Sequence, residues 1–207
     1  MDKYTEKSRE AYNKKAKDYE NTRDYKSTKK LKDSFIKYLL KQNLKGKNVL
    51  DIACGTGDLL NELYKKNSII GTGIDIAENM IQEANNSYGK HMKFLNTNAE
   101  NILIEDNTGD AVIICCAFHH MSNPEKVLSE INRVLHNGGH LYIADFLLAS
   151  RFLNGLLNNI YHMIITGDVK LYSKEELETF CANTGFVVEE HNRVDKLSYI
   201  AKLKCYK

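Results

Sequence analysis

The sequence predicts an α/β fold in which a doubly wound, mostly parallel sheet carries helices on both faces. Two observations support this class. Short apolar segments alternate with amphipathic ones from residue 48 onward, as strands and crossover helices do in parallel sheets. The stretch VLDIACGTGDLL, residues 49–60, has the form of a strand that ends in a glycine-rich turn and leads into a helix.

The N-terminal 45 residues are predicted to be helical. Residues 1–26 are polar and charged, and two alanines and two tyrosines within residues 11–19 fall near helical spacing, which favours a short first helix. From residue 28 a stronger apolar face predicts a second helix, which Gly46 closes. That face consists of Leu31, Phe35, Ile36, Leu39 and Leu40.

The alternating segments form the predicted core. Strands are expected at 48–52, 68–76, 91–98, 110–118 and 140–148, and helices at 58–66, 77–88 and 123–135. The strand DAVIICCAF is apolar almost throughout, as expected for burial on both faces. Pro124 lies at the expected first position of the last of these helices, with Ser122 and Asn123 as capping candidates. We expect the turn Asn137-Gly138-Gly139 to end it.

The C-terminal part departs from this alternation. Ser173 and Glu176 have the spacing of a capping box at the start of a helix, residues 173–185. Two strands, at 186–190 and 196–204, follow without a helix between them, so we expect an antiparallel pair at the sheet edge. Residues 147–172, rich in Leu, Ile, Tyr and Met, interrupt the rhythm and are expected to form a lid.

Composition argues against several classes of protein. The formal net charge is +2 and lysines are matched by acids, so bulk electrostatics give no reason to expect a nucleic-acid partner. No apolar run approaches the roughly 20 residues of a membrane span, and the N-terminus lacks the apolar core of a secretory signal. The five cysteines include no C-x-x-C pair, which favours a reducing compartment, the cytoplasm, over a disulfide framework or a structural zinc site.

The turn after the first strand is predicted to bind a ligand, because ligands of such sheets lie at the carboxyl ends of the strands. Gly55 and Gly57 allow a ligand to approach the backbone closely. A dinucleotide fingerprint would need a third glycine where Leu60 stands, and Asp58 at the helix start would repel a pyrophosphate. Asp51 adds further negative charge. We therefore expect a nucleoside ligand that carries positive charge and no phosphate.

Two later strand ends carry polar groups that suit a nucleoside. Asp75 ends the second strand, 18 residues after Gly57, close to the roughly 20 expected of an acid that binds ribose hydroxyls. Ile76, next to it, can pack against a base. Asn98, at the end of the third strand, can donate and accept hydrogen bonds at the edge of an adenine.

Five segments, taken in order, resemble the class I S-adenosylmethionine-dependent methyltransferases, in particular the small-molecule branch that includes the ubiquinone and menaquinone methyltransferases. They are VLDIACGTG, GIDIAENM, NAE, DAVIICCAFHHM and EINRVLHNGGHLYIADF, and the C-terminal SKEELETFCANTGF carries the resemblance weakly. The resemblance implies a Rossmann-like, seven-stranded sheet with an antiparallel last strand. It also implies S-adenosylmethionine as cofactor and methyl transfer to a small-molecule acceptor.

The resemblance further implies a set of residues around the methionine part of the cofactor. Asp51 would attract the ammonium group through water, and Tyr19 would close over the cofactor from the N-terminal segment, with helix packing as the alternative role of that tyrosine. Cys116, at the end of the fourth strand, would lie beside the carboxypropyl arm or the sulfonium. The first turn would contribute Asp51, Cys54, Gly55 and Gly57.

Around the nucleoside, the resemblance implies residues of the second and third strand ends. Asp75 would hold both ribose hydroxyls, and Ile76 would lie against the adenine. Asn98 and Ala99, followed by Glu100 in the same segment, would meet the adenine edge. Many relatives have Asp in place of Asn98, and Asn keeps a hydrogen-bond acceptor without the charge.

Three cysteines fall near this predicted site: Cys54, Cys115 and Cys116. A thiol nucleophile or a soft-metal site is conceivable, but burial as small apolar side chains is the stronger interpretation. Cys115 and Cys116 are expected to face opposite sides of the sheet, because side chains alternate along a strand. We therefore predict no metal site.

His119 and His120 are the candidate catalytic residues. They follow the fourth strand, where an acceptor would meet the methyl group, and histidine titrates near neutral pH. A histidine at a helix start that bonds to the backbone is an equally good interpretation. Tyr161 and His162 are candidates for lining an acceptor pocket, with packing of an amphipathic lid helix as the alternative.

We expect one domain over residues 1–207, made of an N-terminal helical cap (1–45), a cofactor-binding core (46–146), a lid or substrate insertion (147–172) and a C-terminal helix and strand pair (173–207). Two other functions stay open at this point. A nicotinamide-dependent oxidoreductase shares the fold and the acid after the second strand, although Leu60 and Asp58 argue against it. A binding protein that holds S-adenosylmethionine without turnover is the second alternative.

Overall fold

The computed structural model describes residues 2–146 and 171–207, and the strands of these residues form one sheet. The strands are β1 (Asn48–Ile52), β2 (Ile70–Asp75), β3 (Lys93–Asn96), β4 (Gly109–Cys115), β5 (Leu135–Phe146), β6 (Phe186–Arg193) and β7 (Ser198–Cys205). Their order is β3-β2-β1-β4-β5-β7-β6, and only the pairs that involve β7 are antiparallel among these described strands. The predicted Rossmann-like, mostly parallel sheet of seven strands with an antiparallel last strand is confirmed.

Helices precede, connect and follow these strands. They are α1 (Lys3–Lys15), α2 (Arg23–Leu39), α3 (Asp58–Asn67), α4 (Glu78–Tyr88), α5 (Pro124–Val134) and α6 (Lys174–Asn183), with 3-10 turns at Ala16–Asn21 and Phe118–His120. The second helix begins at Arg23, earlier than expected, because Thr22 caps it by accepting from the backbone N–H of Tyr25. No helix within the described ranges has the length and apolarity needed to cross a bilayer.

The core lies on both faces of the sheet. In β4, Val112 and Ile114 belong to an apolar cluster with α5 and α6, whereas Ala111 and Ile113 belong to a second cluster with α2 and α3. All four side chains are almost completely buried. The apolar run in this strand therefore reflects burial on two sides, as predicted.

The helix caps are mostly as the sequence predicts. Ser173 accepts from the N–H of Glu176, whose carboxylate accepts from the N–H of Ser173, so the capping box is confirmed. Asn123 caps α5, while Ser122 instead donates to Asp2 of the N-terminal helix.

The prediction that Asn137-Gly138-Gly139 ends α5 is wrong. That helix ends at Val134, and β5 begins at the next residue. The register against β4 jumps from Leu135, opposite Gly109, to His140, opposite Ala111. The glycines therefore lie in an irregular part of the β4–β5 pair, where Gly138 adopts a φ of +81° that glycine tolerates.

Arg133 in α5 braces the segment that follows β3. Its guanidinium donates to the carbonyl oxygens of Ile102 at 2.7 Å and Ile104 at 2.9 Å. Glu130, one turn earlier, accepts from the same guanidinium at 2.8 Å and from the backbone N–H of Ile102 at 2.8 Å. The pair thus satisfies backbone groups of a loop that has no ladder partner of its own.

We predict that Arg133→Ala lowers the free energy of unfolding by about 1–3 kcal/mol, because two backbone carbonyls lose a charged donor. Arg133→Lys should recover less than half of the loss, since an ammonium lacks the planar fork that reaches both carbonyls. Urea denaturation of the three proteins measures the effect. Equal stability of all three would show that the brace contributes nothing.

Candidate functional site

A cavity of about 650 Å³ opens at the carboxyl ends of the parallel strands. It lies where the strand order reverses, since the chain runs outward from β1 to β3 and then returns to β4 on the other side of β1. The N-terminal cap covers it with α1, the following 3-10 turn and α2. Every residue predicted for the site that the structure describes lines this cavity, except Gly57.

The glycine turn contains two glycines with different roles. Gly55 has a φ of +55° and faces the cavity, where an added Cβ would lie 3.9 Å from the ring of Tyr19. Gly57 has a φ of +84°, and a Cβ there would lie 2.9 Å from the ring of Phe94. The structure therefore assigns Gly57 to close packing under the turn rather than to the cavity wall.

Asp75 ends β2 and holds the glycine turn in place. One carboxylate oxygen accepts from the N–H of Gly55 at 2.9 Å, and the other accepts from the N–H of Ala77 at 2.8 Å. Burial raises the pKa of this carboxyl group, against the effect of those backbone donors. A carboxylate has about four acceptor positions, so both oxygens retain capacity for a further donor from the cavity.

Asp51 in β1 lies beneath the same turn and is only 2% exposed. Its Oδ2 atom is buried without a hydrogen-bond partner among the described residues. Burial, and then the nearby charge of Asp75, raise the pKa of this carboxyl group well above its ordinary value. The side chain lines the cavity and therefore presents an unsatisfied acidic oxygen beside it.

The acid at the start of α3 is less exposed to a ligand than the sequence suggested. Asp58 accepts from the hydroxyls of Tyr25 at 3.3 Å and Tyr88 at 3.1 Å. The ammonium of Lys32, whose side chain is 17% exposed, lies 3.7 Å from the same carboxylate. Asp58 is thus partly balanced by a cation from α2, and among the described residues Asp51 is the acid whose Oδ2 has no hydrogen-bond partner.

The N-terminal cap contributes a row of tyrosines. The ring centroids of Tyr12 and Tyr19 lie 6.1 Å apart, and those of Tyr19 and Tyr25 lie 5.6 Å apart, both in edge-on geometry. Tyr12 also shares a 3.3 Å hydrogen bond with Nε2 of His120. The row therefore forms an aromatic wall of the cavity that runs from His120 to Asp58, and it includes the predicted Tyr19.

The two histidines occupy a 3-10 turn directly after β4. Nδ1 of His119 lies 2.5 Å from Oδ1 of Asp145, and the backbone N–H of His119 donates to Oδ2 of the same carboxylate at 2.9 Å. Because a carboxylate only accepts, neutral His119 donates from Nδ1, and Nε2 is the ring nitrogen left as an acceptor. Burial, and then His119, lower the pKa of His120 well below its ordinary value.

The residues after β2 and β3 complete the wall opposite the histidines. The carbonyl of Ile76 accepts from the side chain of Asn96 at 2.9 Å, which ties the two strand ends together. Asn98 uses its Oδ1 to accept from the N–H of Glu100 at 2.9 Å, and Glu100 pairs with Lys126 at 3.3 Å. Asn98 thus keeps its amide N–H groups for a ligand, next to Ala99, which lines the cavity.

The prediction that Cys115 and Cys116 face opposite sides of the sheet is wrong. Strand β4 ends at Cys115, and Cys116 adopts a φ of +54°, so the alternation of a strand no longer applies to it. The two sulfur atoms lie 3.9 Å apart, and both residues line the cavity. Cys54 also lines it but is buried. Within the described ranges, no three His, Cys, Asp or Glu residues are grouped as a metal site requires.

Among the residues that sequence reasoning missed are Tyr25 and Lys32, which line the cavity, and Asp145, which bonds to His119 in its wall. Asp145 had a usable signal, because it is the acid near the carboxyl end of β5, as Asp75 is for β2. Lys32 and Tyr25 gave none, since their approach to Asp58 depends on how α2 packs on α3. The proposed lid residues Tyr161 and His162 lie outside the described residues, whereas Leu171 and Tyr172 of that segment are buried.

Comparison with known proteins agrees with this geometry. Residues 50–143 match the family model described as a methyltransferase domain. The ubiquinone/menaquinone biosynthesis C-methyltransferase of Hahella chejuensis is 32% identical over 123 residues, which cover 56% of this chain and 48% of that protein. The chain spans about half the length of the curated relatives it matches.

Solved structures share the fold. A SAM-dependent methyltransferase from Aquifex aeolicus has a TM-score of 0.67 at 24% identity, covering 84% of this chain and 89% of that one. The magnesium protoporphyrin IX methyltransferase of Synechocystis PCC 6803, with bound SAH, has a TM-score of 0.67 at 20% identity, covering 85% and 82%. Residues 50–143 thus match a methyltransferase domain, and these solved structures share the fold of the chain.

Proposed function

We propose that the chain transfers a methyl group from S-adenosylmethionine to a small-molecule acceptor by in-line displacement. The observation that carries this proposal is the unpartnered Oδ2 of Asp51 beside the cavity. A buried carboxylate oxygen without a donor is costly, and a cationic donor removes most of that cost. The ammonium of S-adenosylmethionine is such a donor, and the molecule carries no phosphate that the acids would repel.

The remaining polar groups fit the nucleoside part of the same cofactor. Asp75 keeps acceptor capacity on both oxygens, as a pair of ribose hydroxyls requires. Asn98 keeps amide donors, Ala99 lines the cavity beside it, and Ile76 offers an apolar side chain against which an adenine ring can pack. These residues therefore offer hydrogen-bond partners to a neutral base and to a diol without any additional charged group.

When bound, S-adenosylmethionine supplies a methyl group on a positively charged sulfur, which is a strong electrophile. The chain's own contribution is alignment, exclusion of water and removal of a proton. The tyrosines of the N-terminal cap cover the cavity. Asp145 fixes His119 with Nε2 as the basic nitrogen, so His119 can take a proton from an acceptor hydroxyl as its oxygen attacks. His120 stays uncharged at neutral pH and holds Tyr12 in place.

A small organic acceptor fits the enclosure. The volume of about 650 Å³ lies within the range typical of small-molecule sites, about 300–1,000 Å³. Relatives of this chain are named as methyltransferases of ubiquinone and menaquinone biosynthesis, which supports a small-molecule acceptor. We place the chain in the cytoplasm and assign it no nucleic-acid partner, on its five unpaired cysteines and balanced charge.

The nicotinamide-dependent alternative gains no support. Leu60, where a dinucleotide fingerprint has its third glycine, is fully buried against Gly71.

A non-catalytic binding protein differs from our proposal only in turnover. Incubation with S-adenosylmethionine labelled in its methyl group and a small-molecule extract separates the two, because a non-catalytic protein transfers no label.

We predict that Asp75→Ala weakens the binding of S-adenosylhomocysteine by about 10- to 100-fold, because the ribose hydroxyls lose a charged acceptor worth roughly 1.5–3 kcal/mol. Isothermal titration calorimetry measures this. Asp33→Ala, which removes a half-exposed acid from α2 outside the cavity, is the matched control and should bind normally. Absence of binding of both S-adenosylmethionine and S-adenosylhomocysteine by the unmodified chain would rule out the proposed function.

We predict that Asp51→Asn stabilises the ligand-free protein while it weakens cofactor binding. Burial raises the pKa of Asp51, so its ionised form opposes folding once the pH exceeds the ordinary carboxyl value of about 3.9. The variant should therefore gain about 1–2 kcal/mol at neutral pH and nothing below about pH 4. Urea denaturation across this range, with Asp33→Asn as control, measures the difference. A variant less stable than the wild type at every pH would contradict the assignment.

We predict that His119→Ala lowers turnover by about 10²–10⁴-fold without changing cofactor affinity, because it removes the proton acceptor. Asp145→Asn should act in the same direction, since an amide can turn its own N–H groups toward Nδ1 and reverse the histidine tautomer. Label transfer from S-adenosylmethionine and the nitrogen NMR shifts of His119 measure the two effects. His136→Ala, outside the cavity, is the control. Full turnover in His119→Ala would remove this residue from the mechanism.

A further inference from the structure

The two neighbouring thiols in the cavity have no chemical step in methyl transfer, although Cys116 is predicted to lie beside the cofactor. Cys115 and Cys116 place their sulfur atoms 3.9 Å apart, within the wall of the cavity and next to the histidine turn. The backbone holds this arrangement, because the N–H of Cys116 donates to the carbonyl of Ala144 at 2.8 Å while its φ of +54° turns the side chain out of the strand alternation. The pair is therefore preorganised rather than incidental to a flexible loop.

The separation of the sulfurs suits one atom bonded to both of them. Bonds of about 2.3 Å to each sulfur, with an angle at or somewhat below tetrahedral, place the sulfurs about 3.4–3.8 Å apart. A linear two-coordinate ion would need roughly 4.6 Å by the same bond length. The observed 3.9 Å, across which the Cys115 thiol donates a weak hydrogen bond to the sulfur of Cys116, is nearer to the separation of a bent, two-thiol chelate than to that of a linear one.

A disulfide is a poorer outcome for the same pair. It requires sulfurs about 2.05 Å apart and usually Cα atoms roughly 4.4–6.8 Å apart. Consecutive Cα atoms joined by a trans peptide lie only about 3.8 Å apart. Direct S–S bonding between these two residues therefore requires distortion that a bridging atom avoids.

The chelated atom must be one that two thiols satisfy. Zinc takes four protein ligands in structural sites, and no group of three suitable side chains occurs within residues 2–146 and 171–207. A trivalent arsenic centre that carries one organic substituent needs only two sulfurs and is pyramidal. We propose that Cys115 and Cys116 form a two-thiol site in the cavity that binds one trivalent organoarsenic group.

The binding step balances without an oxidant or a reductant. An organoarsenic oxide, R–As=O, reacts with two thiols to give R–As(S–Cys)₂ and one water. Two S–H bonds break, two As–S bonds form, both protons leave on the arsenic oxygen, and arsenic stays trivalent. Cys115 and burial raise the pKa of the Cys116 thiol well above its ordinary value, so this thiol still carries the proton that the oxygen takes.

Occupation of the thiol site closes the cavity to other ligands. Both thiols share that cavity with Asp51 and Asp75, so an organic substituent on arsenic takes space that the adenosyl ligand would need. Formation of the chelate does not depend on the proposed methyl transfer. The expected loss of cofactor binding when the two-thiol site is occupied does rest on that proposed function.

The test uses the full reduced chain and phenylarsine oxide as the probe, with intact-mass spectrometry to count phenylarsenic groups. We expect one group per chain, removed by a dithiol such as ethanedithiol and retained in excess glutathione. Cys115→Ser and Cys116→Ser should each weaken binding by about 10²–10⁴-fold, because one thiol loses the advantage of chelation. Cys54→Ala, which removes the third cavity cysteine, should bind the probe normally.

Three results would overturn the proposal: no phenylarsenic group on the wild-type chain, full binding in either serine variant, or loss of binding in Cys54→Ala when circular dichroism shows that it is folded. Calorimetry with S-adenosylhomocysteine, before and after probe treatment, adds a separate outcome. We expect at least tenfold weaker binding after treatment, and unchanged affinity would place the thiols outside the ligand's space. A wild-type chain that binds the probe but never binds S-adenosylhomocysteine would refute the proposed function alone.

Discussion

The convergence of buried carboxylates at one edge of the sheet is the constraint on which the rest of this structure depends. Parallel strands bring their carboxyl ends together, so Asp51 and Asp75 line one cavity and Asp145 bonds to His119 in the wall of that cavity, although 94 residues separate the first acid from the last. Burial raises the pKa of the first two, and such groups persist only where a donor satisfies them. Asp75 has backbone donors and Asp145 has His119, whereas Asp51 leaves one oxygen for a ligand.

The parts around this edge can be understood as supports for the three acids. The tyrosine row of the N-terminal cap limits the access of water. Lys32 forms an ion pair with the fourth acid, Asp58, rather than with Asp51. On the opposite side, Arg133 and Glu130 fix the loop after β3, which carries Asn98. The site is therefore rigid at the strand ends and at the loop that follows them, as binding of a polar cofactor requires.

Much of this arrangement could be predicted from the sequence, because its signals are local. The periodicity of strands and helices predicted the sheet, and the capping box predicted the start of α6. Acids near the ends of strands predicted Asp51 and Asp75 as site residues. What could not be predicted depends on tertiary packing or on a single backbone angle. The partner of His119 comes from β5, 26 residues away, and the contact of the two cysteines follows from the positive φ of Cys116, which strand alternation does not foresee.

Positive φ angles at the strand ends connect fold and function most directly. Outside glycine, the described residues adopt such angles at Ala53, Ser68, Asn107 and Cys116. Ser68 and Asn107 lie away from the cavity in ordinary turns, but Ala53 and Cys116 both line it, directly after β1 and β4. A left-handed conformation costs a residue with a Cβ about 1–2 kcal/mol. Strain of this kind persists where the surroundings fix it, and here it turns the glycine loop over Asp51 and brings two thiols together. The same two strands, β1 and β4, flank the reversal of strand order. The backbone strain and the unsatisfied carboxylate oxygen of Asp51 therefore lie at the same place, where a bound ligand can donate a hydrogen bond to that oxygen.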